Sequence, residues 1–84
     1  MPPIRFVMNE FIEFVAKGLV DDPDAVGVSA RERGGLTAYQ LRVADGDAGK
    51  IIGRRGATIN ALRALVQVGG AKIGRRCTLD LVED

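Results

Sequence analysis

A four-residue segment, Gly53 to Gly56, constrains the fold of this chain more than any other. It reads Gly-Arg-Arg-Gly and stands between an apolar pair, Ile51 and Ile52, and an amphipathic stretch that predicts a helix. The two glycines allow a sharp backbone turn with no Cβ in the way, and the two arginines put positive charge on it. The turn leads into a helix N-terminus, whose free N–H groups favour anions. The segment therefore predicts a loop against which a chain of phosphates can lie.

Length and composition exclude several classes of protein. The 84 residues predict one domain over residues 1–84. One cysteine and no histidine allow no intrachain disulfide and no zinc site, so we expect no metal, no cofactor and no enzymatic activity. No run of about 18 apolar residues and no N-terminal signal pattern occur, so we expect a cytoplasmic protein.

The charges are unevenly distributed, although the net charge is only +1. Residues 48–79 contain no acidic side chain. Their seven basic residues lie in the glycine loop or on either side of it in sequence: Lys50, Arg54, Arg55, Arg63, Lys72, Arg75 and Arg76. The first 47 residues contain more acidic than basic side chains. Such a layout makes a local positive field that the net charge hides. The alternative interpretation is a solvated helical face.

Hydrophobic periodicity predicts an α+β chain in the order helix, strand, strand, helix, helix, strand. The first helix is predicted over residues 5–20 and the strands over 25–32, 36–44 and 76–82. A short helix ends at Ile52 and a longer helix follows the glycine loop. The turn at 33–35 is short, so the first two strands should form an antiparallel hairpin. We expect a three-stranded sheet with three helices on one face.

The same periodicity predicts the core and two local features. The side chains expected to face the core are Val26, Val28, Ala30, Tyr39, Leu41, Val43, Ile59, Leu62, Leu65, Val66, Cys77, Leu79 and Leu81. The carboxylates of Asp45 and Asp47 are candidate N-caps of the short helix. Gly69 and Gly70 weaken the long helix, which either ends there or continues towards Gly74.

This element order, with Ile-Ile-Gly-Arg-Arg-Gly at 51–56 between the fourth and fifth elements, resembles a type II KH domain. The stretch 11–26 and the Leu-Arg-Val-Ala of 41–44 are similar to the KhpA family of small bacterial KH proteins. The resemblance implies a protein that binds single-stranded RNA as an RNA chaperone or post-transcriptional regulator. It also implies a homodimer, and a heteromer with a larger KhpB (Jag-like) KH protein.

In such a domain the glycine loop holds the sugar-phosphate backbone and an apolar groove beside it receives the bases. The predicted RNA-binding residues are Lys50, Ile51, Ile52, Gly53, Arg54, Arg55 and Gly56. One of the two isoleucines should line the groove and the other should anchor the short helix; the sequence does not decide which. Arg31 or Arg33, near the hairpin turn, is a candidate secondary contact on the opposite rim. Arg63 is either a third secondary contact or a solvated side chain.

Other interpretations of the glycine loop are a plain turn between helices and a phosphate loop of another class. The residues around Gly49 and Gly53 match neither the P-loop nor the dinucleotide-binding spacing. A protein–protein interaction or scaffold module, with incidental RNA binding, is the alternative function.

Overall fold

Six main elements make up the fold of residues 8–83, the part of the chain that this computed structural model describes. They are α1 (Met8–Leu19), β1 (Gly27–Arg33), β2 (Leu36–Val43), α2 (Ala48–Ile52), α3 (Ala57–Lys72) and β3 (Arg76–Glu83). Single 3₁₀ turns occur at Pro23–Ala25 and Arg54–Gly56. The predicted element order is confirmed. The part of the predicted first helix that covers residues 5–7 lies outside the described residues.

The three strands form one mixed sheet in the order β1-β2-β3. β1 and β2 pair antiparallel, with Arg33 opposite Leu36 next to the turn, so the predicted hairpin is confirmed. β3 pairs parallel to β2, with Arg76 opposite Leu36. Parallel neighbours need a crossover connection, and α2, the glycine loop and α3 supply it here.

The core lies between the helices and one face of this sheet. Alternation along β2 buries Tyr39, Leu41 and Val43, as predicted. The core also contains Ile12 of α1 and Val66 of α3. The other predicted core residues that pack there are Val26, Val28, Ile59, Leu62, Cys77, Leu79 and Leu81. The helices therefore cover one sheet face, as expected for two layers.

Two predicted core residues are exposed. Ala30 lies in the part of the edge strand β1 that extends past the core, so its side chain meets solvent. Leu65 is 52% exposed, because the buried stripe of α3 advances from Leu62 to Val66 and leaves Leu65 at its side. The prediction that Leu65 faces the core was wrong, whereas Ala30 is on the helix side of the sheet, opposite Tyr39, but is not buried there.

The long helix passes through Gly69 and Gly70 and ends at Lys72, so the glycines do not stop it. Gly70 is buried against β3, where a Cβ would lie 2.6 Å from the Sγ of Cys77. The absence of a side chain lets α3 approach β3 at this point. Among residues 8–83 no helix is long and apolar enough to cross a membrane.

Candidate nucleic-acid interface

The glycine loop has a backbone conformation that its residue types explain. Gly53 has φ 74° and ψ 179°, and Gly56 has φ 76° and ψ 11°. The N–H of Gly53 donates to the carbonyl of Gly49 at 2.9 Å, which ends α2, and the N–H of Gly56 donates to the carbonyl of Gly53 at 3.2 Å. These values of φ are open to glycine and costly for residues that carry a Cβ. The segment is therefore a tight turn between two helices.

Arg55 is the residue of this turn that pays a conformational cost. Its φ of 55° makes it the one non-glycine residue with positive φ in the described part of the chain. The left-handed conformation costs an L-residue with a Cβ about 1–2 kcal/mol. Such strain concentrates at ligand-binding and switch regions. A charged side chain therefore stands at a position where glycine would be less strained.

Gly53 is also held by packing. A Cβ at this position would lie 2.3 Å from Oγ1 of Thr58 in the first turn of α3. At Gly56 the nearest atom to a Cβ would be Nδ2 of Asn60, at 3.5 Å, which is an ordinary contact. The two glycines therefore differ: the first is required by conformation and by close approach, the second by conformation alone.

The charges of the loop are available to a ligand. Arg54 and Arg55 are exposed, and neither guanidinium has an ion pair or hydrogen bond within residues 8–83. Gly56 is the N-cap of α3 and has no side chain to bond the free N–H groups of the first turn. Two unpaired cations and an uncapped helix N-terminus thus share one turn, and both favour an anionic ligand.

Lys50, predicted to flank this site, is already engaged. Its Nζ lies 3.1 Å from Oδ2 of Asp21 and 3.4 Å from Oδ1 of Asp47. The hydrogen bonds to Asp21 and Asp47 raise the pKa of Lys50 above its ordinary value. A phosphate would have to compete with two carboxylates for this ammonium group, whereas Arg54 and Arg55 have no such competitor.

The structure separates the two isoleucines whose roles the sequence left open. Ile51 is fully buried and anchors α2 in the core, so its side chain does not face a ligand. Ile52 is 39% exposed directly before the loop. Of the pair, Ile52 is the one that can offer apolar surface to a base.

Sequence analysis missed the role of Asp47. Its carboxylate makes no capping bond to α2; instead Oδ2 accepts the backbone N–H of Asp22 at 3.1 Å. The prediction that this carboxylate caps α2 was therefore wrong, because the carboxylate binds the backbone N–H of Asp22 instead. Burial by itself raises the pKa of Asp47, but the hydrogen bonds from the backbone of Asp22 and Asp21 and from Lys50 outweigh it, so the pKa lies below its ordinary value. Asp47 thus ties the segment after α1 to the start of α2.

None of the three candidate secondary contacts lies in the loop, and Arg63 is on a different element from Arg31 and Arg33. Nε of Arg63 donates to the carbonyl of Leu79 at 3.1 Å, so this side chain bridges α3 and β3. Arg31 and Arg33 lie on the sheet face away from the helices, because they pair with outward-facing residues of β2. That face is not the one on which α3 packs, and the prediction that Arg31 and Arg33 contact RNA stays a prediction.

An exposed apolar surface lies elsewhere, on α1 and α3. Its residues are Phe11, Leu65, Val68, Gly69 and Ile73, which with Lys72 line a concavity of about 370 Å³. Phe14, one turn along α1 from Phe11, is 79% exposed. We call this set the α1/α3 apolar surface. An exposed apolar patch of this kind is typical of an interaction site.

The order of elements, the parallel pairing of β2 with β3 and the Gly-Arg-Arg-Gly turn between α2 and α3 together define a KH domain of type II. The family model described as "KhpA/KhpB, KH domain" matches residues 9–81, and the chain belongs to that family. The resemblance predicted from the sequence is thereby confirmed.

Curated relatives carry the same family name. A protein of Borreliella burgdorferi named RNA-binding protein KhpA is 43% identical over 74 residues, which cover 88% of this chain and 90% of the relative. Proteins of the same name from Halalkalibacterium halodurans and Streptomyces coelicolor are 40% and 42% identical. These alignments cover 90% and 92% of this chain and 100% and 94% of the relatives.

A solved structure supports the fold alone. The crystal structure of Aquifex aeolicus Era bound to GDP and aluminium fluoride superposes with a TM-score of 0.58 at 18% identity. The superposition covers 99% of this chain and 32% of the Era chain, so the likeness concerns one part of that protein.

Proposed function

We propose that this protein binds short single-stranded RNA through the glycine loop. The observation that carries the proposal is the pair of unpaired guanidinium groups, Arg54 and Arg55, on a strained turn that ends in an uncapped helix. The names of the curated relatives, RNA-binding proteins, agree with it.

Each part of the loop has a separate role in this proposal. Gly53 and Gly56 let the main chain approach the sugar-phosphate backbone, and Arg54 and Arg55 hold phosphates with charge-assisted hydrogen bonds. Ile52 offers apolar surface to a base, while Ile51 and Thr58 keep α2 and the turn in place. Binding of this kind requires no chemical step. One small site makes few phosphate contacts, so the affinity should be modest and sensitive to salt.

The test is neutralisation of the two loop arginines. Arg54→Gln/Arg55→Gln should weaken binding of a four-nucleotide RNA and reduce the slope of log affinity against log salt by about 1.4, since each phosphate contact on a single strand contributes about 0.7. The stronger change, Arg54→Asp/Arg55→Asp, should abolish binding while circular dichroism and melting stay close to wild type.

Lys17→Gln removes a charge at an exposed position that lies neither in the loop nor on the α1/α3 apolar surface, and it is the control. Its RNA affinity should equal that of the wild type. A folded loop variant that kept its affinity for the tetranucleotide would exclude the glycine loop as the binding site.

The second proposal concerns assembly, and the α1/α3 apolar surface supports it. The outward side of α3 carries Ala61, Ala64, Leu65 and Val68, so this helix is apolar on two sides. We propose that a second copy of the chain covers this surface in a homodimer, and that a KH domain of the KhpB kind covers it in a heteromer. A dimer would also present two loops to one RNA and so raise its effective affinity.

A scaffold protein with incidental RNA binding would use the same apolar surface, so assembly and RNA binding need separate measurements. Light scattering with and without RNA distinguishes the two functions. Stable self-association with no mobility shift on any RNA pool would favour the scaffold.

For the cellular role, we propose an RNA chaperone or post-transcriptional regulator in the cytoplasm. Crosslinking of bound RNA in cells, followed by sequencing, tests this role. Recovery of no more RNA with the wild type than with Arg54→Asp/Arg55→Asp would contradict it.

A further inference from the structure

The open face of the sheet, away from the helices, carries a second cationic surface. Strand register places its outward side chains in rows across the three strands. The row at the hairpin end is Arg33, Leu36 and Arg76, and the next row is Arg31, Ala38 and Thr78. The three arginines are exposed. We propose that this sheet-face arginine cluster, Arg31, Arg33 and Arg76, is a second RNA contact that binds a further stretch of the strand held by the glycine loop. The inference rests on the proposed function.

Strand alternation separates the charges of the segment Arg31-Glu32-Arg33. The two arginines point to the open face, whereas Glu32 points to the helix side, where its Oε1 accepts a hydrogen bond from Nη1 of Arg75. The acidic residue between two of the arginines is thus paired with a different cation, while Asp80 lies on the open face one row beyond Arg31 and Thr78. No ion pair or hydrogen bond engages Arg31, Arg33 or Arg76 within the described part of the chain. Three uncompensated cations on one surface call for an anionic partner.

The surface suits a single strand of RNA more than a compact anion. Neighbouring strands lie about 4.8 Å apart and alternate residues of one strand about 6.6 Å apart, so the three charges span an extended area. Leu36 and Ala38 lie between the arginines and offer a small apolar floor. Bases can stack on the planes of arginine guanidinium groups as well as on aromatic rings. The chain has no aromatic residue at these positions, so contact should be tolerant of sequence.

The cluster and the glycine loop lie at opposite ends of the sheet. α3 runs antiparallel to β3, because Gly70 meets Cys77 near the start of the strand and Arg63 reaches Leu79 farther along it. The first turn of α3, and the loop before it, therefore lie beyond Leu79, whereas Arg76 begins the strand. A four-nucleotide RNA bound at the loop should not reach the cluster; a longer strand should.

The experiment measures affinity for two lengths of oligouridine, one of four nucleotides and one of roughly 16, the upper range of sites on small single-strand-binding domains. Arg31→Gln/Arg33→Gln should bind the short RNA as the wild type does. For the long RNA its affinity should fall severalfold, and the slope of log affinity against log salt should fall by about 1.4. Lys17→Gln, at an exposed position away from the loop, the cluster and the α1/α3 apolar surface, should retain wild-type affinity for both lengths.

Two results would overturn the inference. Equal affinity of Arg31→Gln/Arg33→Gln and the lysine control for the long RNA would show that the cluster does not bind it. An equal loss on the short RNA would show that these arginines act at or through the loop. The variant Arg54→Gln/Arg55→Gln separates failure of this inference from failure of the loop proposal. If the loop proposal is wrong, this variant keeps its affinity for the short RNA. If only the inference about the cluster is wrong, this variant loses that affinity. Melting temperature and light scattering confirm that the variants share one fold and one oligomeric state.

Discussion

Gly70 of α3 lies so close to Cys77 of β3 that a Cβ on the glycine would be 2.6 Å from the sulfur of the cysteine and 2.9 Å from its Cβ. The carbonyl of Gly70 also accepts the N–H of Arg75 at 2.8 Å and that of Ile73 at 3.1 Å. This contact brings the end of the long helix onto the first residues of the parallel strand. It thereby sets the direction of α3 and, at the other end of that helix, the position of the glycine loop.

Gly70→Ala should therefore destabilise the fold. Alanine favours a helix by about 1 kcal/mol over glycine, but overpacking costs about 1–3 kcal/mol, and the backbone oxygen of Arg75, 2.9 Å from the new Cβ, cannot rotate away. We expect a net loss of roughly 1–2 kcal/mol in urea unfolding. Gly18→Ala, in open space on α1, is the control and should gain about 0.5–1 kcal/mol. A Gly70→Ala variant as stable as wild type would mean that α3 can move away from β3 at low cost.

Gly53→Ala should impair the loop more than Gly56→Ala. At φ 74° and ψ 179°, Gly53 occupies a region open almost only to glycine, and its new Cβ would meet Thr58. Gly56 has left-handed helical values, where alanine costs about 1–2 kcal/mol. We expect Gly53→Ala to lose affinity for the tetranucleotide and Gly56→Ala to lose less. Removing the clash alone, in Gly53→Ala/Thr58→Ala, should restore the affinity only in part. Equal effects of the two single changes would contradict the distinction.

Asp47 should make the stability of the protein depend on pH in the acid range. Its pKa in the folded protein is below the ordinary 3.8. Its contribution to the free energy of unfolding is therefore present above pH 3.8 and is lost as the pH falls through the folded pKa. Urea unfolding from pH 7 to pH 2 measures this loss. Asp47→Asn should be less stable at pH 7 and should show a shallower acid decline. Asp45→Asn, at an exposed position nearby, should keep the wild-type profile. If Asp47→Asn also kept the wild-type profile, the hydrogen bond to Asp22 would not contribute to the pH dependence of stability.

Charge on the α1/α3 apolar surface should disrupt self-association. Leu65→Glu/Val68→Glu puts two carboxylates on that surface, where burial of an unpaired charge is strongly unfavourable. Light scattering should report a smaller mass than for wild type at the same concentration. Asn60→Glu/Gln67→Glu adds the same charge on another side of α3 and should leave the mass unchanged. An unchanged mass for the first variant would exclude this surface as the contact between copies.

Local chemistry made part of the site predictable. The turn at Gly53–Gly56 follows from two glycines between two helical patterns, and its charge follows from the two arginines inside it. Alternation in β2 likewise identified Tyr39, Leu41 and Val43, because a side-chain period of two needs no knowledge of distant residues.

Other parts depended on contacts between distant segments. Ile51 and Ile52 are adjacent and alike, so only the packing of α2 on the core decides which one is buried. Lys50 looked like a loop cation, yet Asp21, far away in sequence, pairs with it. The place of Arg31 could not be predicted without the sheet order and the side on which the helices pack.

The sequence by itself determined that a cationic, glycine-bounded turn leads into a long helix, since backbone freedom and charge are properties of the residues in the turn. Tertiary structure decided which cations remain available to a ligand. Arg54 and Arg55 stay unpaired, whereas carboxylates from other elements engage Lys50 and Arg75. The reason is physical: an ion pair needs two groups within about 4 Å, and folding alone brings residues distant in the chain to that separation.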